Sequence, residues 1–168
     1  MTTDLFWIPG PWSGRLAIAA RPRGGDWLPD EASGWQRVGL DMVVSLLEED
    51  EAAQLELSEE RQFAEASGIR FVSFPVPDRG VPESLSRAGA LLRDITEALE
   101  NGKSVAIHCR QSVGRAGLVA AGVLVTTGAN AENAIQAVSA ARGQTIPETV
   151  AQLQWIRHLP SERPVEAR

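Results

Sequence analysis

The residues best equipped for chemistry stand together in His108-Cys109-Arg110-Gln111-Ser112-Val113-Gly114-Arg115. Cys109 is the only cysteine among 168 residues. It has no partner for an internal disulfide, so the fold does not rely on an oxidising compartment, and what the thiol can contribute is nucleophilic chemistry. The segment leaves an apolar run and enters a helix, and α/β sheets bind their ligands at the C-terminal ends of such strands. Backbone N–H groups of a short loop at a helix N-terminus lack intrahelical partners, and the helix adds roughly half a positive charge, so the loop suits a phosphate-sized anion. The same field favours a thiolate over a thiol. Arg115, six positions beyond Cys109, offers a planar fork able to grip two phosphoryl oxygens.

A nucleophile in a loop needs elements that hold the loop, and the pattern along the chain supplies them. Leu5 to Ile8 and Leu16 to Ala20 flank the turn-rich Pro9 to Gly14, which predicts an N-terminal hairpin. Pro29 in a first turn, Asp30 and Glu31 behind it and Gly39 as a stop predict a short helix ahead of a buried-strand run, Met42 to Leu47. Ser58 as N-cap, Glu59 and Glu60 in the first turn and Gly68 at the end predict another helix, followed by a strand over Ile69 to Phe74. After a loop built on Pro75, Pro77, Gly80 and Pro82, the positions Leu85, Ala88, Leu92, Ile95 and Leu99 recur at helical spacing until Asn101-Gly102. Ser104 to Ile107 reads as a short strand, and Ala116 to Thr127 as a helix apolar on nearly every face and therefore central. Asn130 to Arg142 and Pro147 to Leu159 read as two capped helices. Strands interleaved with helices predict one α/β domain over 1–159, with a largely parallel central sheet of about five strands flanked by helices. The Pro-punctuated polar stretch 160–168 is expected to be a flexible tail.

These residues and their order resemble the cysteine-dependent protein phosphatases, whose signature is His-Cys, five residues, then Arg. The small dual-specificity type, including the cyclin-dependent kinase inhibitor-associated group, is the most similar in size and layout. Phe74 to Pro82 resembles the general-acid loop of that family, with Asp78 in the acid's place 31 residues before Cys109, and the resemblance runs from about Met42 to Thr127. It implies that Cys109 attacks phosphorus, that Asp78 protonates the leaving oxygen, and that the phosphocysteine is then hydrolysed with Asp78 as base. It further implies that Arg115 and the loop residues Arg110, Gln111, Ser112, Val113 and Gly114 hold the phosphoryl oxygens. His108 would orient the loop, and Gln152 resembles a glutamine with which some relatives position hydrolytic water. No metal and no cofactor are implied, and the expected partner is a phosphorylated protein. The chain departs from the family at two positions: Ser112 where glycine is usual, and Ala116 where Ser or Thr follows the arginine. A Cβ at position 112 is expected to be tolerated at negative φ. The hydroxyl absent at 116 would ordinarily donate to the cysteine sulfur, so breakdown of the phosphocysteine is expected to be slow.

Sixteen Lys and Arg against 22 Asp and Glu give a net charge of −6, which offers no general attraction to nucleic acid or to an anionic membrane. Any anion must be caught by a local site. Met1 to Asp4 has no positive n-region, and the longest apolar run, Gly117 to Val125, is far short of the roughly 20 residues that span a bilayer. The expected location is cytoplasmic. Asp78 also fits ordinary Pro-Asp-x-Gly turn chemistry, Arg110 reads equally as a rim residue or a solvated one, and Arg15, Arg21 and Arg23 read as solvated surface. The five tryptophans are read as packing. Two rival functions stand beside the phosphatase. One is a phosphate-binding pseudophosphatase, prompted by Ser112 and Ala116. The other is a rhodanese-like sulfurtransferase, against which the acid loop at Asp78 speaks.

Overall fold

The computed structural model describes residues 4–160, so the expected tail lies, Pro160 aside, outside the described residues. In chain order the elements are β1 (Leu5–Ile8), β2 (Arg15–Ala19), α1 (Leu28–Arg37), β3 (Met42–Ser45), α2 (Glu49–Gln54), α3 (Glu60–Ala66), β4 (Arg70–Ser73), α4 (Leu85–Glu100), β5 (Ser104–His108), α5 (Gly114–Thr127), α6 (Ala131–Arg142) and α7 (Val150–Arg157). The strands form one five-stranded sheet in the order β1-β2-β5-β3-β4. β1 and β2 make the expected antiparallel hairpin, and every other pairing is parallel.

Both faces of the sheet are covered, as a parallel sheet requires. Leu16, Ile18, Met42, Val44, Val105 and Ile107 point into one core with α4, α5, α6 and α7, while Ala19, Val43, Phe71 and Ala106 point into the other with α1 and α3. This is the two-residue alternation of a strand, with both sides apolar. α5 crosses the middle of the larger core, and each of its residues from Gly114 to Val125 is buried. Asn130 caps α6 as expected, accepting from the Asn133 N–H, and Ser84 caps α4 by accepting from the Arg87 N–H. The N-cap of α3 falls one residue beyond the expected Ser58, at Glu59, and makes no side-chain cap bond.

Two differences from the sequence reading bear on function. The β3 ladder ends at Ser45 rather than Leu47, although the Leu46 N–H still donates to the His108 carbonyl. The chain then turns into α2, a helix the apolar pattern does not reveal. Six residues are too few to show a helical period, and the helix begins with a capping box formed by Glu48 and Glu51. The loops after β3, β4 and β5 consequently meet at one edge of the sheet. The Val76 N–H donates to the Leu46 carbonyl and draws the segment after β4 against the segment after β3.

Candidate active site

Cys109 follows β5 directly, its side chain almost fully buried at the floor of the loop. The backbone N–H of Ala116 points at its sulfur, 3.4 Å away, so α5 supplies a donor to Sγ even though residue 116 carries no hydroxyl. Ser112 is fully buried, and its Oγ makes a long contact of 3.5 Å with the Cys109 N–H. The expectation of a negative φ here is not met. Ser112 has φ 56°, a left-handed conformation that glycine adopts freely and a serine does not. His108 is buried with its Nε2 2.6 Å from Glu60 Oε2 on α3, and its Nδ1 lies 3.5 Å from the Cys109 carbonyl.

Arg115 is 98% buried in side-chain terms. The engaged atoms are the two terminal nitrogens: Nη1 and Nη2 donate to Glu51 Oε1 and Oε2 at 2.6 and 2.9 Å, and Nη1 also donates to the carbonyls of Val76 at 2.9 Å and Leu46 at 3.4 Å. Nη2 lies 3.3 Å from Asp78 Oδ1. Burial alone would lower the Arg115 pKa. The Glu51 bonds, together with the negative charges of Cys109, Glu51 and Asp78, outweigh it and hold the guanidinium charged. Glu51 in turn has its pKa lowered, chiefly by the Arg115 hydrogen bonds and against the pull of burial. It serves twice, since Oε1 also accepts from the Glu48 N–H and so closes the α2 capping box.

A carboxylate whose folded-state pKa lies below its unfolded value stabilises the fold above the ordinary glutamate range, and that contribution is lost as pH falls through the folded-state value. Glu51→Ala leaves Arg115 buried without its counter-charge, and the expected cost is about 3 kcal/mol at neutral pH. Urea unfolding of both proteins should show that gap closing as the pH is lowered toward the Glu51 titration. A gap that stays constant with pH would contradict the pairing.

Asp78 sits at the rim on the loop after β4, with its side chain 58% exposed. The loop is tied down on its far side. The Gly80 N–H donates to the Pro77 carbonyl, and Gln152 Nε2 donates to the Gly80 carbonyl at 3.0 Å. Gln152 is fully buried, and its Oε1 accepts from the N–H groups of Glu148 and Thr149. Its amide therefore joins α7 to the loop that carries Asp78. A Cβ on Gly114 would lie 2.5 Å from Glu148 Oε1 and 3.0 Å from Gln152 Oε1, so a larger residue there would displace the Glu148 carboxylate.

The mouth is a cleft of about 590 Å³ whose lining includes Asp78, Arg79, Arg110, Gln111, Val113 and Arg142. Arg110 lies at its edge, 3.8 Å from Glu51 Oε2. Arg21 reaches the same region and donates to the Arg110 carbonyl. Arg15 and Arg23 instead pack on the faces of Trp7 and Trp27.

The structure thus brings Cys109, Asp78, Arg115 and the loop from Arg110 to Gly114 together at one sheet edge. It adds three side chains the sequence reading does not single out for the site: Glu51, Glu60 and Arg142. Glu48-x-x-Glu51 carries the capping-box spacing that could have disclosed α2 and with it Glu51. Glu60 was legible only as a helix-start acid. Nothing local marks Arg142.

Comparison with known proteins bears on the family and the fold. A family model described as "Polymorphic toxin system, DSP-PTPase phosphatase" matches residues 21–129, well over half of the chain. No curated protein sequence matches. Among solved structures, a kinase-associated phosphatase with its catalytic-site cysteine changed to serine is similar over 93% of both chains, with TM-score 0.85 and 19% identity. Tk-PTP in its active form is similar over 91% of this chain and 95% of its own, with TM-score 0.73 and 28% identity. A protein tyrosine phosphatase from Leishmania major covers 95% of this chain and 99% of its own, with TM-score 0.73 and 20% identity. At these identities the first and third show a shared fold alone. The family-model match carries the assignment: the chain belongs to the DSP-PTPase phosphatases of polymorphic toxin systems.

Proposed function

We propose that the chain hydrolyses phosphomonoesters of phosphorylated proteins without a metal, through a phosphocysteine on Cys109, and that residues 1–159 form the catalytic domain. The observation that carries the reading is the placement of Arg115, which is locked by Glu51 beneath the loop while its Nη2 also reaches Asp78. An incoming phosphoryl group replaces Asp78 at Nη2 with an equatorial oxygen and releases the Asp78 carboxyl to face the leaving oxygen. Sγ then attacks phosphorus as the ester P–O bond breaks, and Asp78 gives its proton to the departing alkoxide. In the second step Asp78 takes a proton from water, the water oxygen attacks phosphorus, and the P–S bond breaks. The Ala116 N–H receives the sulfur's returning charge.

Arg110 and Gln111 stand at the rim to meet the substrate. His108, held by Glu60, fixes the turn out of β5. Gln152 holds the acid loop in place. Because nucleophile, acid and arginine are all present and the family is one of phosphatases, nothing favours a binding-only role. Purified protein should hydrolyse an aryl phosphate in excess chelator, with vanadate as a competitive inhibitor, and should then be compared on phosphotyrosine, phosphoserine and phosphothreonine peptides. Turnover that disappears with the chelator, or is absent on every substrate, would overturn the reading.

A further inference from the structure

We propose that Arg142 is a positioning residue for the phosphate loop: its guanidinium holds the carbonyls of Gln111 and Ser112 and so maintains the left-handed backbone that lets a serine stand at position 112. The proposal rests on the reading of the Cys109 loop as the phosphate cradle.

Arg142 is the last residue of α6, thirty positions from Ser112 in sequence. Its Nε donates to the Ser112 carbonyl at 2.9 Å, and its Nη2 lies 3.5 Å from the Gln111 carbonyl. The guanidinium is itself held over the Phe6 ring, 4.2 Å from the centroid. Neither Phe6 nor Arg142 falls within residues 21–129, which the family model matches.

In a trans peptide the N–H points opposite to the C=O. Fixing the oxygens of residues 111 and 112 toward Arg142 therefore turns the N–H groups of Ser112 and Val113 away from it, into the loop, where they can meet an anion. The same grip opposes the relaxation a non-glycine residue favours. Bringing Ser112 from φ 56° to negative φ would rotate the 111–112 peptide and aim a carbonyl oxygen at the thiolate and phosphate. Ser112 is fully buried, so its side chain cannot swing outward to ease the change. Glycine at 112 would hold the conformation unaided, and a chain with serine there needs the clamp.

The test is a double-mutant cycle. Arg142→Met keeps an unbranched apolar side chain beside Phe6 and removes the donors. It is expected to lower kcat/KM and to weaken vanadate inhibition, each by about tenfold or more. Adding Ser112→Gly to Arg142→Met should recover about fivefold or more beyond the product of the two single effects. Arg142→Lys keeps charge and stem but lacks the planar fork whose separate nitrogens span the two carbonyls, so it should resemble Arg142→Met. It also carries the test should the methionine variant fail to fold by circular dichroism. Unchanged kcat/KM and vanadate inhibition in the Arg142 variants, or strict additivity with Ser112→Gly, would overturn the proposal. So would wild-type behaviour in Arg142→Lys, which would reduce Arg142 to a rim cation. Cys109→Ser runs in the same assay. Retained turnover there would strike the phosphate-cradle reading itself, an outcome separate from any failure of the clamp.

Discussion

Cys109→Ser is expected to lower turnover by at least about 10³-fold, the scale seen when a covalent nucleophile is removed, while the fold and the affinity for phosphate or vanadate persist. A serine hydroxyl is almost wholly protonated at neutral pH and is a far weaker nucleophile than a thiolate. The groups proposed to hold the phosphoryl oxygens do not depend on the sulfur. The loop amides belong to the backbone, and Arg115 is fixed by Glu51 and the Val76 carbonyl. Sγ is nearly fully buried, and the smaller oxygen fits without displacing its neighbours. Turnover and vanadate binding by titration calorimetry check both halves of the expectation. A variant that retains a substantial part of wild-type activity would remove Cys109 from the role.

Asp78→Asn is expected to lower turnover by about 10² to 10⁴, the usual contribution of a positioned general acid. The loss should be steepest for alkyl phosphates, whose leaving oxygen needs a proton most, and smallest for activated aryl phosphates. The substitution keeps the shape of a side chain that sits 3.3 Å from Arg115 and leaves the tie between Gln152 and the Gly80 carbonyl untouched. It should also flatten the limb of the pH–rate profile on which the acid must be protonated. Equal slowing of aryl and alkyl substrates with an unchanged profile would contradict the assignment, and the exposed Glu83 on the same loop would become the candidate.

What the sequence discloses and what it withholds follow from the range of the interactions. β5, its turn and α5 are consecutive, so an apolar run, a turn and an all-apolar helix announce Cys109 and Arg115 together, and the Pro-rich segment after β4 announces Asp78. The partners of these residues come from far away. Glu51 meets Arg115 across 64 positions, and Glu60 meets His108 across 48. In the sequence Glu60 reads only as an acid near a helix start, a place where exposed carboxylates are common, and Glu51 lies in a helix the apolar pattern does not reveal. Their burial becomes visible only when β3 and β5 pair in register and set α2 and α3 over the loop. Ser112 shows the opposite limit. Its residue type argues for negative φ, and tertiary bonds from Arg142 accompany the contrary conformation.

The most direct test of the account is to look for the phosphoryl group on sulfur. Wild-type protein mixed with excess aryl phosphate and quenched in acid during the first turnovers should carry one added phosphoryl group, and peptide mass spectrometry should place it on Cys109. Since the sulfur has the Ala116 N–H as a donor but no neighbouring hydroxyl at position 116, breakdown should be the slower step, the intermediate should accumulate, and leaving-group release should show a burst. The Asp78→Asn protein should form the adduct from an activated aryl phosphate and lose it more slowly still. Catalytically competent protein with no burst and no phosphoryl group on Cys109, or with the group on another residue, would contradict the central claim.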